Sequence, residues 1–343
     1  MTVFLNKCKF VFFLLLGVFL IGKVNGIDRV IEQYKSSLPI ISLDKSTTRE
    51  HVIAQFLIQF CPAKNNICGY ECLQAKIGSL IAQEKPLLMY LPGFPFKSIN
   101  RTKCISALID VGELLALITL EHIAKQIEQV YPLVQITIVS DGYAYKTPVD
   151  PDDEVIAHYH ALLQGLLTKF SHLSFQDGLS LGGYACDADV LRDAVKSEVV
   201  GSWTQENQET ADDMAIFIKR DSAFLGLTSA NITQVSMTMV QCSMQYGQFL
   251  KRYYSEKDFI RLSVHPHTDV SKKLGINLIF GHKGTPWHNA VVVVDGQIVL
   301  TNHINYDDLS QPVVHSACHW NGLAYLKPAK IVMTRGGYDW RPF

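Results

Sequence analysis

The chain has 343 residues, 48% hydrophobic and 18% charged, with a formal net charge of −1. That length supports one large domain or two smaller ones around a sizeable core, and the composition excludes disordered and fibrous classes. Balanced charge without long basic runs argues against nucleic acid as the main partner and gives no membrane-surface signal beyond the N-terminus.

At the N-terminus, Lys7 and Lys9 precede the apolar run from Phe10 to Ile21, followed by Lys23-Val24-Asn25-Gly26. This reads as an export signal over residues 1–26, with an uncleaved anchor or a misplaced start codon as alternatives. The apolar run is too short to span a bilayer comfortably. The protein is then expected to be secreted or periplasmic, and cytoplasmic if the segment is no signal. Cys8 leaves with the signal, so an odd number of cysteines remains: Cys61, Cys68, Cys72, Cys104, Cys186, Cys242 and Cys318. Cys61, Cys68 and Cys72 cluster without Cys-x-x-Cys spacing, which suggests one disulfide among them in an oxidising compartment; three half-buried thiols are the alternative.

Thr47-Thr48-Arg49-Glu50 has capping-box spacing and leads into Val52, Ile53, Phe56, Leu57 and Phe60 at helical period. A second helix carries Leu73, Ile77, Leu80 and Ile81. Pro86 to Leu91 is a short apolar run closed by Pro92-Gly93, which predicts a buried strand running into a loop. Asp110 to Tyr131 is apolar-periodic and proline-free, hence a helix, and Val134 to Val139 is a second buried strand. Strand, helix, strand makes a parallel crossover unit.

Asp152 to Phe170 predicts another helix, and 187–254 has a helical character. Phe259–Val264, Leu274–Phe280 and Asn289–Val294 read as strands, and Asp295-Gly296 turns the last of these back on Ile298–Leu300 as a hairpin. The expected fold is an α/β, Rossmann-like mixed sheet flanked by helices, parallel first and antiparallel at its C-terminal end. With no internal repeat or linker, 27–343 is expected to form a single domain.

Polar clusters follow three of these strands: Pro92 to Asn100, Ser140-Asp141-Gly142, and His265-Pro266-His267. In open α/β sheets ligands bind beyond the carboxyl ends of strands, so the clusters are expected to converge on one pocket. Lys97, Ser98, Asn100 and Lys103 supply cations and donors on a loop entering a helix, suited to a phosphate or carboxylate; an ordinary solvated loop is the alternative. Asp110 and Glu113, one turn apart, could orient a cation or an amine, or simply cap the helix.

Arg261, Ser263 and His265 alternate, which places them on one strand face. Burying such a row without a ligand or partners is costly, which favours a site over a hydrogen-bonded core network. His288, beside Trp287, is a candidate acid/base because imidazole titrates near neutrality. His158 and His160 do not share a helix face, and no histidine pair has metalloprotease spacing, so no metal is assigned. Dinucleotide, Walker and Gly-x-Ser-x-Gly signatures are absent from the sequence.

Leu91 to Ser98, Ser140-Asp141-Gly142, Ile260 to Pro266, Lys273 to Ile276 and Thr285 to His288 together resemble the pyoverdine/dityrosine biosynthesis family in order and spacing, over Pro86 to Asn302. The resemblance implies an isonitrile synthase. Such an enzyme condenses the amine of an aromatic amino acid, tryptophan or tyrosine, with the ketone of ribulose 5-phosphate, which donates the isonitrile carbon as a co-substrate; no cofactor is implied. A dityrosine branch instead N-formylates tyrosine, and an oxygenase acting downstream is an implied partner.

On that chemistry Lys97, Ser98 and Lys103 would hold the phosphate, and Arg261 the phosphate or the amino-acid carboxylate. His265 or His288 would move protons, Asp141 would orient the amine or a sugar hydroxyl, and Trp287 would stack on the aromatic ring. The chain departs from the family at Ile99, where a proline is usual, and at Ser106 and Ile109, where a glycine and a proline are usual. Ribulose 5-phosphate is a cytosolic metabolite, which sits uneasily with an export signal. Asn100-Arg101-Thr102 and Asn231-Ile232-Thr233 are glycosylation sequons, and the pocket requires Asn100 to be unmodified. The rival readings are a secreted amino-acid- or anion-binding protein without catalysis and a metal-dependent hydrolase.

Overall fold

A computed structural model describes residues 29–42, 46–62, 68–98, 100, 103–104, 109–144, 146–147, 150–184, 187–267, 269–282, 284–294, 297–301, 316–320, 326–330, 332–334 and 337–339. The 1–26 segment, Ile99, Arg101, Thr102, Ser106, Cys186 and the Asp295-Gly296 turn lie outside the described residues.

A helix, α1, covers residues 29–37. It is followed by α2 (Arg49–Ile58) and α3 (Tyr70–Ala82) and then by the first strand, β1 (Leu87–Pro92). The chain continues through α4 (Val111–Glu128), β2 (Val134–Ser140), α5 (Asp153–Leu167) and β3 (Leu173–Asp177). Four helices then intervene: α6 (Gly178–Gly182), α7 (Ala188–Lys196), α8 (Gln205–Leu225) and α9 (Ser229–Leu250). Strands β4 (Phe259–Ser263) and β5 (Leu274–Gly275) complete a five-stranded sheet of order β3-β2-β1-β4-β5, in which every pairing is parallel.

From β1 the chain steps outward through β2 to β3, and α6–α9 then carry it back to the other side of β1. The direction of winding reverses between β1 and β4, which makes the crevice beyond their carboxyl ends the topological switch point.

Strand alternation divides the interior into two cores. Leu87, Met89 and Leu91 of β1, Ile136 and Ile138 of β2, and Ile260 and Leu262 of β4 pack with α2, α3 and α4. Tyr90 and Val139 point the other way, to Leu191 and Val195 of α7 and Tyr246, Phe249 and Leu250 of α9. A period of two puts alternate side chains on opposite faces, so Arg261, paired in register with Tyr90, belongs to the second face.

Several expectations are corrected. Among the described residues the sheet has no antiparallel portion. The antiparallel pairs, β6 (Ala290–Val294) with β7 (Gln297–Thr301), β8 (Ser316–Trp320) with β9 (Leu326–Lys330), and β10 (Val332–Thr334) with β11 (Gly337–Asp339), are separate two-stranded ribbons outside the parallel sheet. The strand expected over Leu274–Phe280 stops at Gly275. Ile276, Leu278 and Ile279 are buried as their apolarity requires, but the backbone there bonds elsewhere: Asn277 N–H to the Phe60 carbonyl and Phe280 N–H to the Tyr34 hydroxyl, each at 2.8 Å.

Helix α2 begins one residue later than the capping-box spacing suggested, with Thr48 as an N-cap that makes no side-chain bond. Strand β3, half-buried with a Leu-Ser-Phe-Gln-Asp sequence, has too little apolar content to stand out. Cys61, Cys68 and Cys72 are free thiols rather than a disulfide: Cys61 is sealed in the first core while Cys68 and Cys72 are exposed. Among the described residues no helix is long and apolar enough to cross a membrane.

The loops after β1 and β2 interlock. Ser140 donates its hydroxyl to the Phe94 carbonyl at 3.0 Å, and Gly142 lies so close that a Cβ there would sit 2.3 Å from the Pro95 carbonyl oxygen. Backbone cannot yield as a flexible side chain would. Gly142→Ala is therefore expected to lower stability by about 1–3 kcal/mol, as overpacking does, measured by denaturant unfolding; wild-type stability would show that the loops are not so closely opposed.

Candidate active site

The loop after β1 is shaped by tight contacts. A Cβ on Gly93 would lie 3.0 Å from the Trp287 ring, and 3.8 Å from Val264 beyond β4. Phe94 adopts a positive φ of 55°, a strained conformation for a bulky residue. It is fully buried with its ring 4.8 Å from that of Trp287. Trp287 is itself buried and forms a wall behind the loop.

Lys97 is the hub of this region. Its side chain is 0% exposed, and its Nζ lies 2.9 Å from Asp110 Oδ2, 2.8 Å from Glu113 Oε2 and 2.8 Å from the Pro286 carbonyl. An ammonium has three N–H donors, and these three partners use them. Burial alone would depress its pKa, but Asp110 and Glu113 more than offset this and raise it. The same carboxylates cap α4: Asp110 accepts from Gly112 N–H at 2.7 Å, and Glu113 from Asp110 N–H at 2.9 Å. Burial pushes Glu113 up, opposed by Lys97 and assisted by Asp110.

The expected helix cap and the expected cation-holding pair are thus one arrangement, and the cation is Lys97. This occupancy departs from the phosphate-holding role expected of Lys97. Ser98 is also turned inward, its N–H donating to the Trp287 carbonyl at 2.8 Å. Asn100 and Lys103 are buried, with Lys103 N–H donating to the Asn100 carbonyl at 3.0 Å. Ile109, one of the departures from the family pattern, is buried in the first core.

A second buried group ties the loops after β1 and β2 together. His160 Nε2 lies 2.7 Å from Ser140 Oγ and 3.0 Å from the Pro95 carbonyl oxygen, and its Nδ1 is 3.7 Å from Asp177 Oδ2. Serine, histidine and aspartate in line suggest a nucleophile. However, a carbonyl can only accept, so Nε2 carries the proton and cannot serve as base for Ser140, whose hydroxyl is committed to Phe94. The group is a brace. Asp141 follows it, half-buried at the end of β2.

Beyond β4 the expected row of three is broken. Arg261 and Ser263 lie within the strand, but the strand ends at Ser263 and His265 stands in the bend after it with an exposed side chain. His267, two residues on, is the ring that reaches back, its Nε2 2.9 Å from Ser263 Oγ. Loss of hydration, Lys273, His265 and Arg261 push His267 down to about 4. Loss of hydration and then Lys273 also lower His265.

His288 sits in the single 3-10 turn Pro286–His288. Burial pushes it down to about 3, with the charges of Lys103, His265 and Lys97 adding to the effect. That mutual influence brings His288, Lys103, Lys97 and His265 into one neighbourhood. All three histidines are held in the neutral form, and the same shifts weaken His267 and His288 most as proton acceptors.

The structure therefore gathers the loops after β1, β2 and β4 and the 285–288 turn at the switch point. Asp110 and Glu113 enter only through Lys97. Sequence reasoning placed His267 in a pocket-facing cluster and weighed His160 only as a metal ligand, without giving either its role, and singled out neither as a site residue; Lys273 was given no role. Lys273 lay in a noted motif, but its neighbours in space could not be known. Among the described residues no three histidine, cysteine or acidic side chains converge as metal ligands.

The chain matches the family described as pyoverdine/dityrosine biosynthesis protein over residues 77–216 and 210–311, and it belongs to that family. It is 29% identical to an L-tyrosine isonitrile synthase of Xenorhabdus nematophila, over 70% of this chain and 78% of that protein. It is 26% identical to the L-tryptophan isonitrile synthase AmbI2 of Fischerella ambigua, over the same shares. The crystal structure of PvcA from Pseudomonas aeruginosa superposes with a TM-score of 0.67 at 22% identity, over 74% of this chain and 92% of that one, which supports the fold.

Removing Lys97 leaves two carboxylates buried without their cation. Lys97→Met is expected to cost about 3–5 kcal/mol in chemical denaturation, whereas a loss under about 1 kcal/mol would show the triad to be dispensable. For His267, whose folded pKa lies below its unfolded value of 6.5, the unfolded chain takes up a proton first as pH falls. Stability present above the unfolded pKa is then lost toward the folded one. Wild type should lose more stability than His267→Gln between about pH 7 and about pH 4; parallel curves would contradict the shift.

Proposed function

We propose that this chain is an isonitrile synthase, converting the amine of L-tyrosine or L-tryptophan to an isonitrile with ribulose 5-phosphate as the carbon donor. One observation carries the proposal. The family's ordered motifs assemble at a single place, the switch point between β1 and β4, in a chain whose relatives include L-tyrosine and L-tryptophan isonitrile synthases.

The chemistry asks for an anion clamp, a means of moving protons and a site that excludes bulk water. The amine adds to the ketone and water leaves, giving an imine, which puts the sugar's ketone carbon on the nitrogen. Each stage needs groups that accept and return protons. His265 is accessible and held neutral, so it can begin as the base, whereas His288, pushed down to about 3, takes up a proton far less readily. Asp141, at the mouth of β2, orients the amine or a sugar hydroxyl. Arg261 holds an anionic end of a substrate. Trp287 and Phe94 form the apolar wall, and Lys97 acts by fixing the loop rather than by touching the substrate.

The test is incubation of purified protein with ribulose 5-phosphate and each amino acid in turn, with products identified by mass spectrometry. Tyrosine or tryptophan should gain one carbon as an isonitrile. His265→Ala should lower turnover by about 10²–10⁴-fold, the contribution usual for general acid–base groups. No product with any amino acid, from folded protein, would sink the proposal in favour of a binding protein on this scaffold.

A further inference from the structure

Strand register places two cations side by side. Leu262 pairs with Leu274 and Ser263 with Gly275 in parallel register. Continued one residue back, that register sets Lys273, which immediately precedes β5, beside Arg261, and the two cations act on each other. Like charges in such positions repel, and both residues are half-buried, where water screens them poorly.

Neither forms an ion pair within 4.0 Å among the described residues. Arg261 lies over Tyr90, 6.0 Å from its ring centroid, with Nε buried and without a hydrogen-bond partner. Its guanidinium fork lies against the bare α-carbon of Gly247 on α9, where a Cβ would approach to 3.4 and 3.6 Å, so the helix places no side chain over the fork. Lys273 has its pKa lowered, by burial first and then by Arg261, with Glu206 of α8 opposing and Lys251 adding to the repulsion. Ser263 and His267 complete the surroundings, bonded to each other at 2.9 Å.

We propose that Arg261 and Lys273 form a phosphoryl-binding site at the carboxyl end of β4 that receives the phosphate of the sugar-phosphate substrate, with Lys273 a substrate-binding residue. The inference rests on the synthase function proposed above but assigns the phosphate to this cross-strand pair, not to the loop around Lys97. A tetrahedral dianion between two unneutralised cations removes their repulsion, and the Arg fork gives it bidentate geometry. The amino-acid carboxylate, with a single charge, is then left to another part of the site.

The experiment compares full-length wild type, Lys273→Met, Arg261→Met and the surface control Lys257→Met. Isothermal titration with inorganic phosphate, ribulose 5-phosphate and L-tyrosine is read beside thermal unfolding in phosphate-free buffer. Lys273→Met and Arg261→Met should each weaken phosphate and ribulose 5-phosphate binding by at least about tenfold, the loss expected for a charge-assisted hydrogen bond. Tyrosine binding and the control should be unchanged. Without phosphate, Lys273→Met should melt no lower than wild type, because it removes a repulsion.

Wild-type phosphate affinity in Lys273→Met, a loss confined to tyrosine, or a lower melting point of that variant would each overturn the site. The two proposals fail separately. Phosphate held by the pair without isonitrile formation refutes the synthase and leaves the site. Isonitrile formation with an unchanged KM for ribulose 5-phosphate in Lys273→Met refutes the site and leaves the synthase.

Discussion

One buried ammonium, that of Lys97, holds the candidate site together. It joins the loop leaving β1, the first turn of α4 and the Pro286 carbonyl, and the Ser98–Trp287 hydrogen bond and the Phe94–Trp287 ring contact hold the same segments together. Two carboxylates and a cation buried together would be costly if any member were left unpaired. Here Asp110 and Glu113 also accept backbone N–H groups at the start of α4, so each carboxylate is compensated twice, by the cation and by the helix terminus. The strain at Phe94 is tolerated because its surroundings fix it from several sides: the Ser140 hydroxyl, the Trp287 ring and the fully buried position.

The site then divides into a satisfied half and an unsatisfied half. Around β1 and β2, Lys97 bonds two carboxylates and a carbonyl, and Ser140 and His160 Nε2 bond each other and nearby backbone. Around β4 and β5, Arg261 and Lys273 lie side by side, and among the described residues neither makes an ion pair within 4.0 Å. Three histidines in this region are kept neutral, each chiefly by loss of hydration and then by nearby cations. A neutral imidazole beside unneutralised cations suits a step in which an anionic substrate arrives and a proton must leave it. The fold provides this at the switch point because adjacent parallel strands that lead to opposite sides of the sheet leave a crevice between their following loops.

Much of this was legible in the sequence. The β1–α4–β2 unit is explicit in two apolar runs flanking a long proline-free periodic segment, and α4 shows its cap in Asp110 and Glu113. Convergence of the clusters after β1, β2 and β4 followed from the parallel topology alone. What was not legible depends on neighbours in space. Lys97 reads as a loop cation until its two carboxylates fold over it. Lys273 reads as an ordinary lysine until the register of β5 places it beside Arg261. The 276–280 run reads as a strand because apolarity reports burial; its backbone partners, Phe60 and Tyr34, lie more than two hundred residues away in sequence. Likewise, the mixed sheet was inferred from a hairpin signal at 291–300, which specifies a local pair and says nothing of whether that pair joins the main sheet.

The most direct test of the central claim follows the atoms. Tyrosine or tryptophan carrying ¹⁵N in its amine is incubated with the enzyme and ribulose 5-phosphate carrying ¹³C at its ketone carbon, and the product is read by ¹³C NMR. An isonitrile carbon bonded directly to that nitrogen, showing one-bond ¹³C–¹⁵N coupling, is the predicted result. A coupled formyl carbon would place the chain with N-formylating chemistry, and no coupled carbon would contradict ribulose 5-phosphate as the donor.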